Sequence, residues 1–549
     1  MNKKVALFLL GTILAIAIAL RVWQLGSVPS SPDWDEAALG YNAYSILQTG
    51  KDEYGKFLPV ILRSFDDYKP ALYAYLIIPF IQMFDLNIVT VRFPAAIFGV
   101  LAVFATYFLV KELVSGKYRE HLALLSAFFL AISPWHLQFS RIAFETQVGL
   151  AFNIFSIVFF LKGLKKPSFL LLSAFFAALS IHTYQSEKVY LPILFAVLLV
   201  IYWHEIIKIP KKWLGGAVML GLIIILPLFI EIMTNQNVLL RAKGVSVFSN
   251  QTEFLKRNAL KYSVDKENND ILGLVVNNRR VEYGKAVFAG YVSHFDLNWL
   301  FITGDNERHH APYMGLLYLF ELPLLLVGIY KVLFSTISRK AKLTIFAIFF
   351  VAPIPASVTS GVPHAVRTIN FLPTFQIFTA FGLLYSVLYL AQFKKIISIV
   401  VYGIFGLFAL LNITYYLNQY FVQQNYYFSE YWQYGYKEAI DYIKPIAKNY
   451  DSIVVSNNPP LDQSYMFFLF YYKYDPLKYQ KLGGTVSGGF AESHKGFNNL
   501  VFRPIEWEKE DKQGVLFIGR PSDIPESANI LYKISYLNGK PAIVIADEK

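Results

Sequence analysis

The chain has 549 residues, 55% of them hydrophobic and 17% aromatic, and only 16% carry charge. Soluble domains carry roughly 25% charged residues, so this composition, with a mean hydropathy of +0.42, excludes an ordinary soluble enzyme. The formal net charge of +12 reads as loop lysine and arginine that orient membrane helices, not as a nucleic-acid surface, and the lack of cysteine excludes disulfides and thiolate metal sites.

The N-terminal MNKKVALFLLGTILAIAIALRVW has the charge order of a signal peptide. Its apolar run is too long for an h-region and no small-residue cleavage site follows, so it reads as a retained first helix. A spanning helix needs about 20 apolar residues. Counting on that basis gives eleven segments: 5–24, 93–113, 121–137, 145–163, 168–183, 190–204, 214–232, 313–333, 342–357, 368–388 and 395–417. With eleven spans, the basic loops at 2–4, 111–120, 162–167, 204–213, 330–342 and 392–395 all fall on one side, which marks it as cytoplasmic. The N-terminus is then cytoplasmic. The long loops 25–92 and 234–312, and everything after the last span, are extracytoplasmic. The expected architecture is a polytopic α-helical membrane domain over 1–420 and a small extracytoplasmic α/β domain over 421–549. In the latter, YWQYGYKEAIDYIKPIA has a helical pattern, SIVVSN, GVLFIGR and PAIVIADE read as short strands, QSYMFFLFYYKY as a buried helix, and LNGK as a hairpin turn.

The chemistry-bearing residues gather in the outer loops. DWDEAALGYNAY places Asp33, Asp35 and Glu36 just after the first span, ahead of a helical pattern. Asp33 or Asp35 can cap that helix, which accounts for one carboxylate and leaves the others to explain. The same loop carries Asp66, Asp67 and Lys69. Pro70 biases Lys69 toward an extended backbone, at the foot of an aromatic segment where a phosphate headgroup lies; snorkelling to lipid is the structural alternative. In SPWHLQFSRIAFETQVG, Arg141 and Glu145 stand four apart and share a face if helical. Lys188 lies between tyrosines in IHTYQSEKVYLP. His364 and Arg367 begin the tenth span, where an arginine opposes the helix dipole and a bound anion would relieve it. Cations from four outer loops can cradle a phosphate or pyrophosphate. Asp305, Glu307 and the RHH at 308–310 show no clear ligand spacing, so no cofactor and no essential divalent metal is expected.

These pieces, in this order and on this side, resemble a family. Asp35-Glu36 in the first outer loop, Lys69-Pro70-Ala71-Leu72-Tyr73, PW…R…E after the third span, HTYQSEK…P before the sixth, GDNERHHAPYMGLLYLFELPLLLVG at the eighth and PHAVR before the tenth resemble the C-superclass (GT-C) membrane glycosyltransferases. The branch they resemble is that of the protein O-mannosyltransferases and aminoarabinose transferases, glycosyltransferase family 39. The resemblance covers about residues 1–420. It implies a sugar donor on a polyprenyl phosphate, used outside the cytoplasm, with Asp35 as general base and Lys69 and Arg367 holding the leaving phosphate. A hydroxyl acceptor (protein, lipid or glycan) would lose its proton to a carboxylate as it attacks the anomeric carbon, giving inversion in one displacement. Glu36 would support Asp35 or bind acceptor, with Asp33 and Glu145 as further carboxylate candidates, and Arg141, Lys188 and His364 completing the phosphate cradle. The alternative reading is a transporter or flippase of lipid-linked sugars, which should place polar groups at mid-membrane.

Overall fold

The computed structural model describes residues 1–548 except 66, 240–243, 250–252 and 487–495; Asp66 therefore lies outside the described residues. The chain is mostly helical. Each of the eleven apolar segments contains a helix, but among the described residues seven are long and apolar enough to cross a bilayer: Lys3–Val22, Ile88–Leu113, Thr146–Gly163, Lys211–Thr234, Arg339–Ser357, Ile369–Leu390 and Lys395–Phe428. The other four segments hold shorter helices, Arg119–Ile132, Phe169–Ile181, Glu187–Ile201 and Glu321–Phe334. Ser133-Pro134 ends the first of these and starts a new short helix, Pro134–Phe139.

Packing in the bundle relies on small residues as well as on apolar ones. Helices Glu321–Phe334 and Thr374–Leu390 meet at Gly328 and Gly382, where an added Cβ would lie 1.8 Å from the carbonyl oxygens of Phe378 and Leu324 respectively. Such close backbone approach is the membrane solution where oil-like lipid gives no hydrophobic drive. Lys211–Thr234 and Lys395–Phe428 present most of their apolar surface outward, as lipid-facing helices do.

The first long loop, after helix Lys3–Val22, folds against this bundle. It holds helix Trp34–Thr49, closed by Gly50 at φ 70°, then an antiparallel ribbon of Ile61–Ser64 with Asp67–Pro70 that pairs Leu62 with Lys69. Pro70 keeps Lys69 extended, and helix Leu72–Phe84 follows.

The C-terminal region forms a five-stranded sheet in the order Leu500–Phe502, Ser452–Val455, Val515–Gly519, Pro541–Asp547, Asn529–Ser535, parallel in its first three strands and antiparallel in the last two. The LNGK turn closes the last hairpin, with Tyr536 N–H donating to Lys540 O at 2.8 Å and Gly539 at φ 86°. Helices Tyr436–Ile443 and Ser464–Tyr472 cover the sheet. This domain grips the first loop. Gln433 Oε1 accepts from Trp34 N–H at 3.0 Å, Tyr41 Oη donates to Tyr474 O at 3.2 Å, and Thr485 Oγ1 donates to Glu53 at 2.7 Å. The helix bearing the carboxylates is thus held between bundle and sheet.

A candidate active site at the first loop

Helix Trp34–Thr49 starts where Asp33 caps it: Asp33 Oδ1 accepts from Glu36 N–H at 2.8 Å. Its other oxygen pairs with Arg308 Nη1 at 2.8 Å, and the side chain is buried. Asp33 is the structural carboxylate of the trio.

Glu36 is also committed. It is fully buried, takes Arg92 Nε at 2.9 Å and Nη2 at 2.7 Å, and accepts from Ala143 N–H at 2.8 Å. Arg92 donates further to the carbonyls of Leu25, Pro29 and Ser31. A bidentate pair with this much backbone contact fastens loop to bundle. With both oxygens engaged in this way, these contacts speak against the acceptor-binding half of the role expected of Glu36, while a supporting role beside Asp35 fits them.

Asp35 differs from both. Its side chain is partly exposed, and its Oδ1 pairs with Lys69 Nζ from the ribbon. Burial disfavours charge on Lys69, but Asp35 and Glu145 outweigh it and raise its pKa, so Lys69 is a cation. Glu145 is buried beside this pair, and burial pushes its carboxyl up to about 7 against the pull of Lys69.

Arg141 and Glu145 do not share a helix face. The helix stops at Phe139 and restarts at Thr146, so the intervening loop sends the two side chains apart. Arg141 is buried, donating to the carbonyls of Leu20, Arg21 and Val28 and to Tyr420 Oη. This corrects its assignment to the phosphate cradle: its nitrogens hold the end of the first helix.

Lys188 and Arg367 line one cavity of about 290 Å³. Its wall is mainly apolar (Val189, Ile232, Val238, Val245, Phe248, Val358), with Tyr184 and Gln185 among its polar members. Lys188 Nζ donates to Gln185 Oε1 at 2.6 Å. Arg367 Nη1 donates to Thr359 Oγ1 at 2.6 Å and Ser360 O at 2.8 Å. Tyr184, in the cavity wall, interacts electrostatically with Arg367, Glu145, Lys69 and Asp35, so the cavity adjoins the Asp35–Lys69 pair. Arg367 sits in a turn just ahead of a single 3-10 turn, Ile369–Phe371, and the α-helical part of that span begins at Thr374, so a full α-helix dipole does not start at Arg367. His364 lies off the cavity, its ring tilted against that of His309 near Asp305.

Sequence reasoning missed Arg92, weighed Arg308 only within the RHH at 308–310 and not as the partner of Asp33, and gave Tyr184 no role beyond its motif. Arg92 had a signal: a lone arginine inside an apolar stretch usually marks a buried partner. A carboxylate, an adjoining lysine and a largely apolar cavity with two further cations form a site that can take an isoprenoid phosphate and accept a proton beside it.

Residues 68–230 match the family model of dolichyl-phosphate-mannose-protein mannosyltransferases. No curated protein sequence matches the chain. Among solved structures, ArnT from Cupriavidus metallidurans bound to undecaprenyl phosphate is similar at 11% identity and TM-score 0.53, with 99% of this chain and 98% of that one covered. The apo state of the same protein gives 12% identity and TM-score 0.51, covering 97% of both chains. The archaeal oligosaccharyltransferase AglB from Archaeoglobus fulgidus, in complex with an inhibitory peptide and a dolichol-phosphate, aligns at 13% identity and TM-score 0.49 over 85% of this chain, which spans 64% of its length. The chain therefore has the fold of the C-superclass membrane glycosyltransferases, and within it resembles the protein O-mannosyltransferase and aminoarabinose transferase branch.

Proposed function

We propose that this multi-pass membrane protein is a glycosyltransferase that moves a sugar from a polyprenyl-phosphate donor to a hydroxyl acceptor on the extracytoplasmic side. The observation that carries this reading is the partly exposed Asp35–Lys69 pair beside the cavity that holds Lys188 and Arg367. The apolar wall suits an isoprenoid chain, and the cations suit its phosphate. That ArnT was solved with undecaprenyl phosphate is consistent with such a donor.

The acceptor oxygen bonds to the anomeric carbon as the bond from that carbon to the phosphate oxygen breaks. The acceptor proton passes to Asp35. Polyprenyl phosphate leaves with its added charge neutralised by Lys69, Arg367 and Lys188. Lys69 has a second part to play. While it is bonded to Asp35 it lowers the basicity of that carboxylate, and an incoming phosphate competes for the ammonium and releases Asp35 as base. One base and no covalent intermediate give inversion.

The test is purified full-length protein supplied with polyprenyl-phosphate-linked sugars. Release of polyprenyl phosphate dependent on an acceptor is expected. Intact lipid-linked sugar carried across a proteoliposome without release would replace this reading with the transporter.

A further inference from the structure

We propose that Asp305, His309 and His364 form a divalent-cation site of the zinc class. One ligand atom from each lies within 4.8 Å of the others. His309 is buried, and Asp305 and His364 are half-buried. The residues come from two separate loops, so no local sequence pattern produces the cluster. The His309 and His364 rings lie 5.3 Å apart, tilted by 35°, and His309 Nδ1 stands 2.8 Å from Asp305 Oδ2.

Two imidazoles and a carboxylate are a donor set that zinc takes, with bonds of about 2.0–2.2 Å. Donors on one tetrahedral ion then sit roughly 3.3 Å apart, so ligand atoms already within 4.8 Å of one another close on an ion with side-chain shifts of about 1.5 Å or less. A supporting shell is in place. Ala365 N–H donates to Asp305 Oδ2 at 2.7 Å, and the Phe139 and Phe144 rings fix the His309 plane at 5.6 and 5.8 Å. Such outer contacts orient ligands and tune their affinity. The neighbouring His310 turns to the carbonyl of Ala311 at 2.7 Å and takes no part.

The rival is a plain His309–Asp305 hydrogen bond with the His364 ring packed at a tilt against His309. That arrangement explains the short contact but gives no reason for a second imidazole to converge on it. An ion here would tie the 304–312 loop to the turn that carries Arg367, next to the Arg308 that holds Asp33. Three protein ligands leave a fourth position for water, as in open zinc sites. The site would revise the expectation that no metal is used.

Full-length protein in detergent, stripped by chelator and dialysed, is titrated with zinc chloride and, separately, cobalt chloride. The expected result is one zinc per chain, visible absorption bands of tetrahedral cobalt, and loss of both in His309→Ala and His364→Ala, with His310→Ala unchanged. No bound equivalent in the parent protein, or an equivalent that survives both substitutions, overturns the proposal. Each variant is melted without metal as a folding control, and Asp305→Asn, which keeps an acceptor for Ala365, replaces any that fails it. The readout is bound metal, so it stands or falls independently of glycosyl transfer.

Discussion

Asp33 and Asp35 stand two residues apart at the start of one helix and serve different partners. Asp33 is sealed between its own helix and Arg308, whereas Asp35 faces Lys69 and solvent. If Asp35 is the base, Asp35→Asn should cut turnover by about 10²–10⁴-fold, the usual contribution of a positioned base, with the melting temperature held. Asp33→Asn keeps the cap, because Asn caps about as well as Asp, but weakens the pair with Arg308; it should lower stability more than turnover. Turnover assays and melting curves on the two variants separate the roles, and an active Asp35→Asn removes the base.

Lys69 and Arg367 are expected to hold the leaving phosphate together, both being close enough to Tyr184 to act on it. Lys69→Ala and Arg367→Ala should each weaken donor use by about 1.5–3 kcal/mol, the scale of a hydrogen bond to a charged group. Lys188→Ala should act in the same direction through the shared cavity. Arg141→Lys should lower stability instead, because its partners are backbone carbonyls. Donor affinity unchanged in all three cavity-side variants would return them to lipid snorkelling.

What the sequence made legible was local. Apolar length marked the helices, Pro70 announced an extended Lys69, and the DWDE stretch announced a cap. The pairings were not legible, because they depend on where distant segments pack. Glu36 finds Arg92 and Lys69 reaches Asp35 only after the first loop folds back on the bundle. Arg141 and Glu145 looked like a helical pair because spacing alone cannot show that the helix breaks between Phe139 and Thr146. Arg367 does precede that span, Ile369–Leu390, but apolar content alone could not show that the span opens with a 3-10 turn at Ile369–Phe371 and becomes α-helical only at Thr374.

The Glu36–Arg92 pair gives a stability prediction. Breaking a buried pair from one side strands the other charge, at a cost of about 3–5 kcal/mol. Glu36→Gln and Arg92→Met should each lower the melting temperature and yield in detergent. The double variant should lose less than the sum of the two, since neither charge is then left alone. Additive losses would show that the residues do not depend on each other.

Glu145 should make stability depend on pH. Burial raises its carboxyl from the ordinary 4.5 to about 7, so the folded protein holds a proton that the unfolded chain releases. The folded state then binds more protons between these values, and its stability falls as pH rises. The contribution is full below about 4.5 and is lost on passing through 7. Glu145→Gln mimics the protonated form and should flatten that part of the curve. Melting temperatures of parent and variant from pH 4 to 8 provide the check: their difference should grow toward pH 8, and a constant difference would mean that Glu145 does not titrate in this window.

Orientation in the membrane can be read with thiols, because the chain has no cysteine of its own. The Lys509 side chain is 80% exposed on the C-terminal domain, and the Lys165 side chain is 72% exposed in a basic loop assigned to the cytoplasm. Lys509→Cys and Lys165→Cys each introduce a single reactive site far from Asp35's partners. If the basic loops face the cytoplasm, a membrane-impermeant maleimide applied to intact spheroplasts should label Lys509→Cys at once and Lys165→Cys only after permeabilisation. The reverse pattern would put Asp35 and Lys69 on the cytoplasmic side, where a donor used outside could not meet them. Labelling of both sites in intact spheroplasts would mean an even number of crossings between residues 165 and 509, and with it a different count of spans.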